Sequence, residues 1–265
     1  MDYLINKTRF HVLEQGSSPF TLVFLHYFGG SSLEWQAVMS QLTDQYHCVA
    51  LDLRGHGDSD APATGYSVND MADDVAGLMR KMNIREFVLV GHSLSSKVAL
   101  ALASRQPAGL RALILIAPSP AFPEPIPEAD RTDMLETHGQ RSAAEKTFAN
   151  ITAVPLSAMV REQIIADNLR TSDVAWKAWL TGGSKEDISS QMSTLNVPIS
   201  IIVGTEDRAI LPDFQVTRIL PSLKNATLDI IQDAGHLLPW ETPDELATFI
   251  RRKVVLSENH INALS

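Results

Sequence analysis

Four short stretches, "FTLVFLHYF", "HCVALDL", "EFVLVGHS" and "LRALILIAPS", are apolar on both faces. A strand that is apolar on one face can border solvent. A strand apolar on both must be covered on both, which is the condition inside a parallel sheet flanked by helices. The stretches between them are amphipathic: "SSLEWQAVMSQLTDQ", "SVNDMADDVAGLMRKMN" and "SLSSKVALALASRQP". In the second, Met71, Val75, Leu78, Met79 and Met82 recur at helical spacing. Strand and helix alternating in this way predict an α/β fold with a doubly wound, mostly parallel sheet. "RFHVLEQG" alternates apolar and polar residues, as an exposed antiparallel strand does. With 265 residues, the chain has enough mass for one large domain with a sizeable core.

The alternation stops at Pro118. From there to about Met192 no strand-like run occurs. Pro118, Pro120, Pro123, Pro125 and Pro127 interrupt helix repeatedly, either as a hinge or as a plain connector. Helical patterns follow around 130–149, 156–170 and 172–181. They predict a helical cap, residues 119–192, inserted into a core made of residues 1–118 and 193–265. "VPISIIVGTED" and "ATLDIIQDAGH" resume the sheet. A last helix opens with Thr242 as N-cap, Pro243 at the first helical position and Glu245 three residues on from the cap.

Composition narrows the function. The chain has 31 acidic against 22 basic side chains, a net charge of −9, and no basic block. That argues against nucleic acid or an anionic membrane as partner. The lone Cys48 sits in an apolar strand and reads as a buried small hydrophobe. No apolar segment follows a basic start at the N-terminus, and no run is long enough to span a bilayer, so the expected compartment is the cytoplasm. H-E-x-x-H, paired cysteines and acidic calcium loops are missing, and the glycines do not form G-x-G-x-x-G after the first strand. Neither a metal nor a nucleotide cofactor is expected.

Sites in doubly wound sheets form at the carboxyl ends of the strands. Three such ends carry a Ser, an Asp and a His, in that chain order. "GHSLS" places Ser93 between strand and helix, in a G-x-S-x-S variant of the G-x-S-x-G turn that exposes a nucleophilic serine. Taken alone, Ser93 reads equally well as a helix cap. A serine hydroxyl attacks only when a base takes its proton. His236, in "DAGH", is the candidate base, and Asp207, in "GTED", the candidate for holding its tautomer. Glu206, Asp233 and Asp229 compete with Asp207 but are expected to face away, to act locally or to lie mid-strand. The earlier strand ends Ala117-Pro118-Ser119, which offers no carboxylate. His92 is expected to point away from Ser93, into packing. The N–H of Leu94, at a helix N-terminus, is one expected oxyanion donor. Ser95 replaces the usual final Gly, which predicts a slightly displaced helix rather than a lost turn.

Five motifs, "HYFGGS", "DLRGHGDS", "GHSLS", "GTED" and "AGHLLPWETPDE", stand at strand ends in one order. With them the chain resembles the α/β-hydrolase superfamily over nearly its whole length. Within it, the chain is most similar to small capped esterases and the related perhydrolase and cofactor-free haloperoxidase group. The resemblance implies a Ser93–Asp207–His236 triad, no cofactor, and a small-molecule ester as substrate. It also implies Phe28 as the second oxyanion N–H. Relatives have Gly where this chain has Tyr27, so the loop must adopt a shape open to a side chain, and Tyr27 becomes either a hydrogen-bond donor or a pocket wall. Trp176 and Trp179 either line a substrate pocket or pack the cap onto the core. Ser at position 93 excludes the dehalogenase and epoxide-hydrolase branch, which attacks with a carboxylate. A lactonase, a perhydrolase or haloperoxidase-type enzyme, and a ligand receptor that does not turn over remain as alternatives, and a homodimer is left open.

Overall fold

The computed structural model describes the backbone of residues 1–262 and the side chains of residues 1–255. Its sheet has eight strands: β1 (Asp2–Ile5), β2 (Thr8–Gln15), β3 (Phe20–Leu25), β4 (His47–Leu51), β5 (Glu86–His92), β6 (Leu110–Ile116), β7 (Ile199–Gly204) and β8 (Ala226–Ile231). They are ordered β1-β2-β4-β3-β5-β6-β7-β8. β2 is antiparallel to β1 and β4, and every later pairing is parallel. Sequence reading missed β1. It is tied to β2 by a two-residue turn in which Asn6 and Lys7 both have positive φ, 50° and 67°, the backbone of a type I′ hairpin.

The helices are α1 (Gln36–Ser40), α2 (Val68–Lys81), α3 (Leu94–Ser104), α4 (Glu128–Glu136), α5 (Arg141–Ile151), α6 (Ala158–Arg170), α7 (Asp173–Thr181), α8 (Pro212–Phe214), α9 (Leu238–Glu241) and α10 (Pro243–Asn262). Successive residues of each central strand point to opposite faces. Val23, Leu25, Leu89 and Leu113 therefore pack with α2 and α3. Leu22, Phe24, Val88 and Ile114 pack with α1 and α10 on the other face. This is why the strand sequences are apolar throughout. Thr242 precedes α10 as expected, but its hydroxyl donates back to Leu238 O in α9. Ser67 and Asp70 form a complete capping box on α2.

Helices α4 to α7 lie between β6 and β7. The pattern read as one helix over 130–149 is two, α4 and α5, broken by a turn at 137–140. The proline-rich connector is pinned to the segment after α7: Glu124 N–H donates to Ser184 O and Ile188 N–H to Ala121 O, both at 2.8 Å. At the other side, Asp167 of α6 accepts from Ser31 Oγ at 2.7 Å and pairs with Arg170, which reaches Asp58 at 2.6 Å. Among the described residues, no helix is long and apolar enough to cross a membrane. Cys48 is buried, and burial pushes its thiol up to about 12.

Candidate active site

β5 ends in a sharp turn at Ser93, whose φ of 52° and ψ of −117° are held only because the surroundings fix them. Its N–H donates to Ile116 O at 2.9 Å, and its carbonyl accepts from Ser96 N at 2.9 Å and Ser119 N at 3.1 Å. The turn brings helix backbone against the strand: a Cβ on Gly91 would lie 2.7 Å from Ser95 O. Ser95 fits this space and also bonds. Its Oγ accepts from His92 N at 2.9 Å and donates to Leu25 O at 2.8 Å. The residue that departs from the motif thus ties the turn to the neighbouring strand β3.

Asp207 follows β7 and His236 follows β8. His236 Nδ1–H donates to Asp207 Oδ2 at 2.8 Å, and Asp207 Oδ1 accepts from the N–H groups of Ala209 and Ile210 at 2.8 and 3.0 Å. Both side chains are buried. Burial alone would lower the His236 pKa, but the Asp207 carboxylate, as charge and as hydrogen-bond acceptor, holds it above the usual 6.5. Glu206 and Asp233 are exposed, and Asp229 pairs with Arg252 and Lys253. Ser93 and His236 line one cavity of about 950 Å3. No hydrogen bond joins Ser93 Oγ to the His236 ring among the described residues.

The loop after β3 is fixed by His26, whose Nδ1–H donates to Tyr27 O at 2.7 Å and whose Nε2 accepts from Leu53 N at 2.9 Å. The left-handed position in this loop is Gly29, φ 83°, so Tyr27 keeps ordinary backbone. Tyr27 is 4% exposed and lines the cavity wall. The N–H groups of Phe28 and Leu94 have no acceptor among the described residues. For Trp176 and Trp179 the structure shows a place in the cavity wall and a place in the core packing, without showing a substrate. They line the cavity, and they are buried against the core cluster. The Phe28 ring lies 4.3 Å from that of Trp176, whose Nε1–H donates to Met134 O at 2.8 Å.

Three features were missed in the sequence. Glu124, beyond the proline-broken end of β6, brings a carboxylate to the cavity wall, and burial raises its pKa. Lys97, one turn into α3, is buried and donates to Glu186 O at 2.8 Å. His92 is buried, as expected, yet it supports the candidate base: its Nε2–H donates to His236 O at 2.9 Å. Its Nδ1 lies 3.1 and 3.2 Å from the two carboxyl oxygens of Glu34. Burial lifts Glu34 well above the usual carboxylate range and drops His92 well below its own. Since Nε2 carries the proton, Nδ1 of neutral His92 accepts a hydrogen bond from a protonated Glu34. The signal was available, because Glu34 follows "HYFGGSS" at the same rim, but no spacing rule links it to His92.

The comparisons agree with this fold. The chain is 36% identical over 150 residues to 2-(acetamidomethylene)succinate hydrolase of Mesorhizobium japonicum, which covers 57% of this chain and 51% of that protein. The chain thus spans about half the length of that relative. It is 30% identical over 242 residues to 2-succinyl-6-hydroxy-2,4-cyclohexadiene-1-carboxylate synthase of Enterobacter sp. (strain 638), covering 85% of this chain and 88% of that one. An esterase from Exiguobacterium antarcticum has the same fold, with a TM-score of 0.86 at 19% identity over 97% of this chain and 98% of that one. The alpha/beta hydrolase family matches residues 22–249. By that match, and by the sheet order and strand-end residues described above, the chain belongs to the alpha/beta hydrolase family.

Proposed function

We propose that this chain is a serine hydrolase that cleaves a carboxylic ester of a small molecule through an acyl-enzyme on Ser93. The observation that carries the reading is the strained turn presenting Ser93 to the same cavity as His236, with His236 held on Asp207 at 2.8 Å. Ser93 Oγ attacks the ester carbonyl, and His236 Nε2 takes its proton. The N–H groups of Phe28 and Leu94 receive the charge that forms on the carbonyl oxygen. The alcohol departs with the proton from His236. Water then gives a proton to His236, attacks the acyl carbon, and frees Ser93 and the acid.

The charges around the cavity favour a neutral ester. Two relatives are named for dicarboxylate chemistry. Here the Lys and Arg side chains lining the cavity are Lys146 and Arg208, both exposed at its mouth. Lys146 pairs with Asp133, and Arg208 donates to Thr152 O. Lys97 spends its charge on backbone carbonyls. The lining also carries five aromatic side chains, Tyr27, Phe28, Trp176, Trp179 and Phe214, and three carboxyls, half-buried Glu124 and exposed Asp130 and Asp133. Lactones need the same triad and test the cavity's shape.

The experiment is steady-state hydrolysis of 4-nitrophenyl esters of increasing acyl length and of a lactone series, with Ser93→Ala as control. Multiple turnover by the wild-type chain and a loss of about 10⁶-fold in Ser93→Ala support the reading. Activity retained in Ser93→Ala, or a single slow turnover by the wild type, rules it out.

A further inference from the structure

The segment carrying His236 is held by a carboxylate outside the triad. Glu241, at the end of α9 and 8% exposed, accepts four backbone N–H groups. Gly235 and Leu237, on either side of His236, donate at 3.0 and 3.1 Å. Ala153 and Val154, just past α5, donate at 2.9 Å each. His236 itself donates its N–H to Ile151 O at 2.9 Å. The fit has no slack: a Cβ on Gly235 would lie 2.8 Å from Glu241 Oε1 and 2.9 Å from Ala153 N. Ile151 also lines the cavity.

We propose that Glu241 is a positioning residue for His236, and that it fastens the base to residues 151–154 between α5 and α6, so that the seating of this segment sets the rate of the chemical step. The inference rests on the reading of Ser93 and His236 given above. Charge-assisted bonds are the strong ones, and four on one carboxylate fix the loop far better than the same loop in water. The ring of His236 must approach Ser93 Oγ and the leaving oxygen in turn, and small misplacement of such a group is costly. The charged and titratable groups around His236 are Asp207, Glu124 and Glu241, with the His92 ring tilted beside it at 5.1 Å between ring centres. Substrate resting on Ile151 presses on the carbonyl that holds the base.

The test uses the full chain and a neutral 4-nitrophenyl ester. Glu241→Gln keeps the shape but removes the charge and one acceptor. It is expected to lower kcat by about 100-fold with KM nearly unchanged. The acid limb of kcat should also move to lower pH, because the cation of His236 loses a nearby anion. Ala153→Pro removes one donor on the α5 side and keeps the charge. Thr152, at φ −116° and ψ 145°, already has the backbone that a residue before proline adopts. It is expected to lower kcat by about tenfold, the worth of one bond to a charged group, with the limb in place. In the wild-type chain, the amides of Ala153 and Val154 should exchange with solvent together with those of Gly235 and Leu237. Wild-type kcat and limb in a folded Glu241→Gln chain would overturn the proposal, as would amides at 153 and 154 that exchange independently of 235 and 237. Ser93→Ala assayed beside them separates the two readings: if it retains activity the triad reading fails, and if it alone is dead only the role of Glu241 fails.

Discussion

The turn at Ser93 and the loop at His236 are held by opposite means. The turn is local. Gly91, Ser93, Ser95 and Ser96 lie within six residues and fix one another, with β6 and β3 supplying Ile116 O and Leu25 O. The loop is assembled from afar. His236 is bonded to Asp207 29 residues away, to Ile151 85 residues away and to His92 144 residues away. In the proposed mechanism the nucleophile needs one presented oxygen, which a tight turn supplies, and the base must serve two oxygens in turn, which a placement shared among several elements allows.

That contrast can be broken from either side. The largest effect is expected from His236→Ala, which should match Ser93→Ala at about 10⁶-fold in kcat, since the two act as a unit. Equal losses, with the double variant no worse, would be seen in initial rates. Next comes Asp207→Asn, expected to cost about 10⁴-fold by presenting the wrong tautomer of His236. On the proposed mechanism activity needs neutral His236, so kcat should rise with pH. With the His236 pKa held above 6.5 the midpoint lies above that value, and it falls in Asp207→Asn once the anion is gone. A pH–rate profile of each variant checks the sign.

Smaller effects sharpen the comparison. Glu34→Ala leaves His92 Nδ1 buried without a partner and should cost about 1–3 kcal/mol of stability, whereas Glu34→Gln, which can still donate to Nδ1, should recover most of it. Denaturant midpoints measure both. Ser95→Ala removes the bond to Leu25 O and should cost about 1 kcal/mol. The smallest effect belongs to the local turn, because neighbouring bonds hold Ser93 without it.

The same contrast explains what could be read in the sequence. Strands apolar on both faces announced the sheet, but the turn at Ser93 read equally well as a helix cap until Asp207 and His236 stood at later strand ends. Asp207 and His236 were singled out because strand ends converge on one rim, and the structure brings the two side chains to 2.8 Å. The rest was hidden in long-range contacts. Glu124 reaches the cavity only because a proline-rich connector folds back onto Ser184, and no periodicity predicts that path. His92 was read as packing, and it is buried, but its bond to His236 O depends on the end of β5 meeting a loop 144 residues away. The break between α4 and α5 and the strand β1 were missed because short polar turns carry little pattern. Tyr27 in place of Gly required a backbone open to a side chain, and the loop meets this because Gly29 carries the left-handed position.

Rapid-quench mass spectrometry of the chain mixed with a 4-nitrophenyl ester tests the nucleophile most directly. The expected result is one acyl group per chain, on the peptide containing Ser93, forming before steady state and decaying at the turnover rate. Steady turnover with no adduct, or with the acyl group on another residue, would contradict the account.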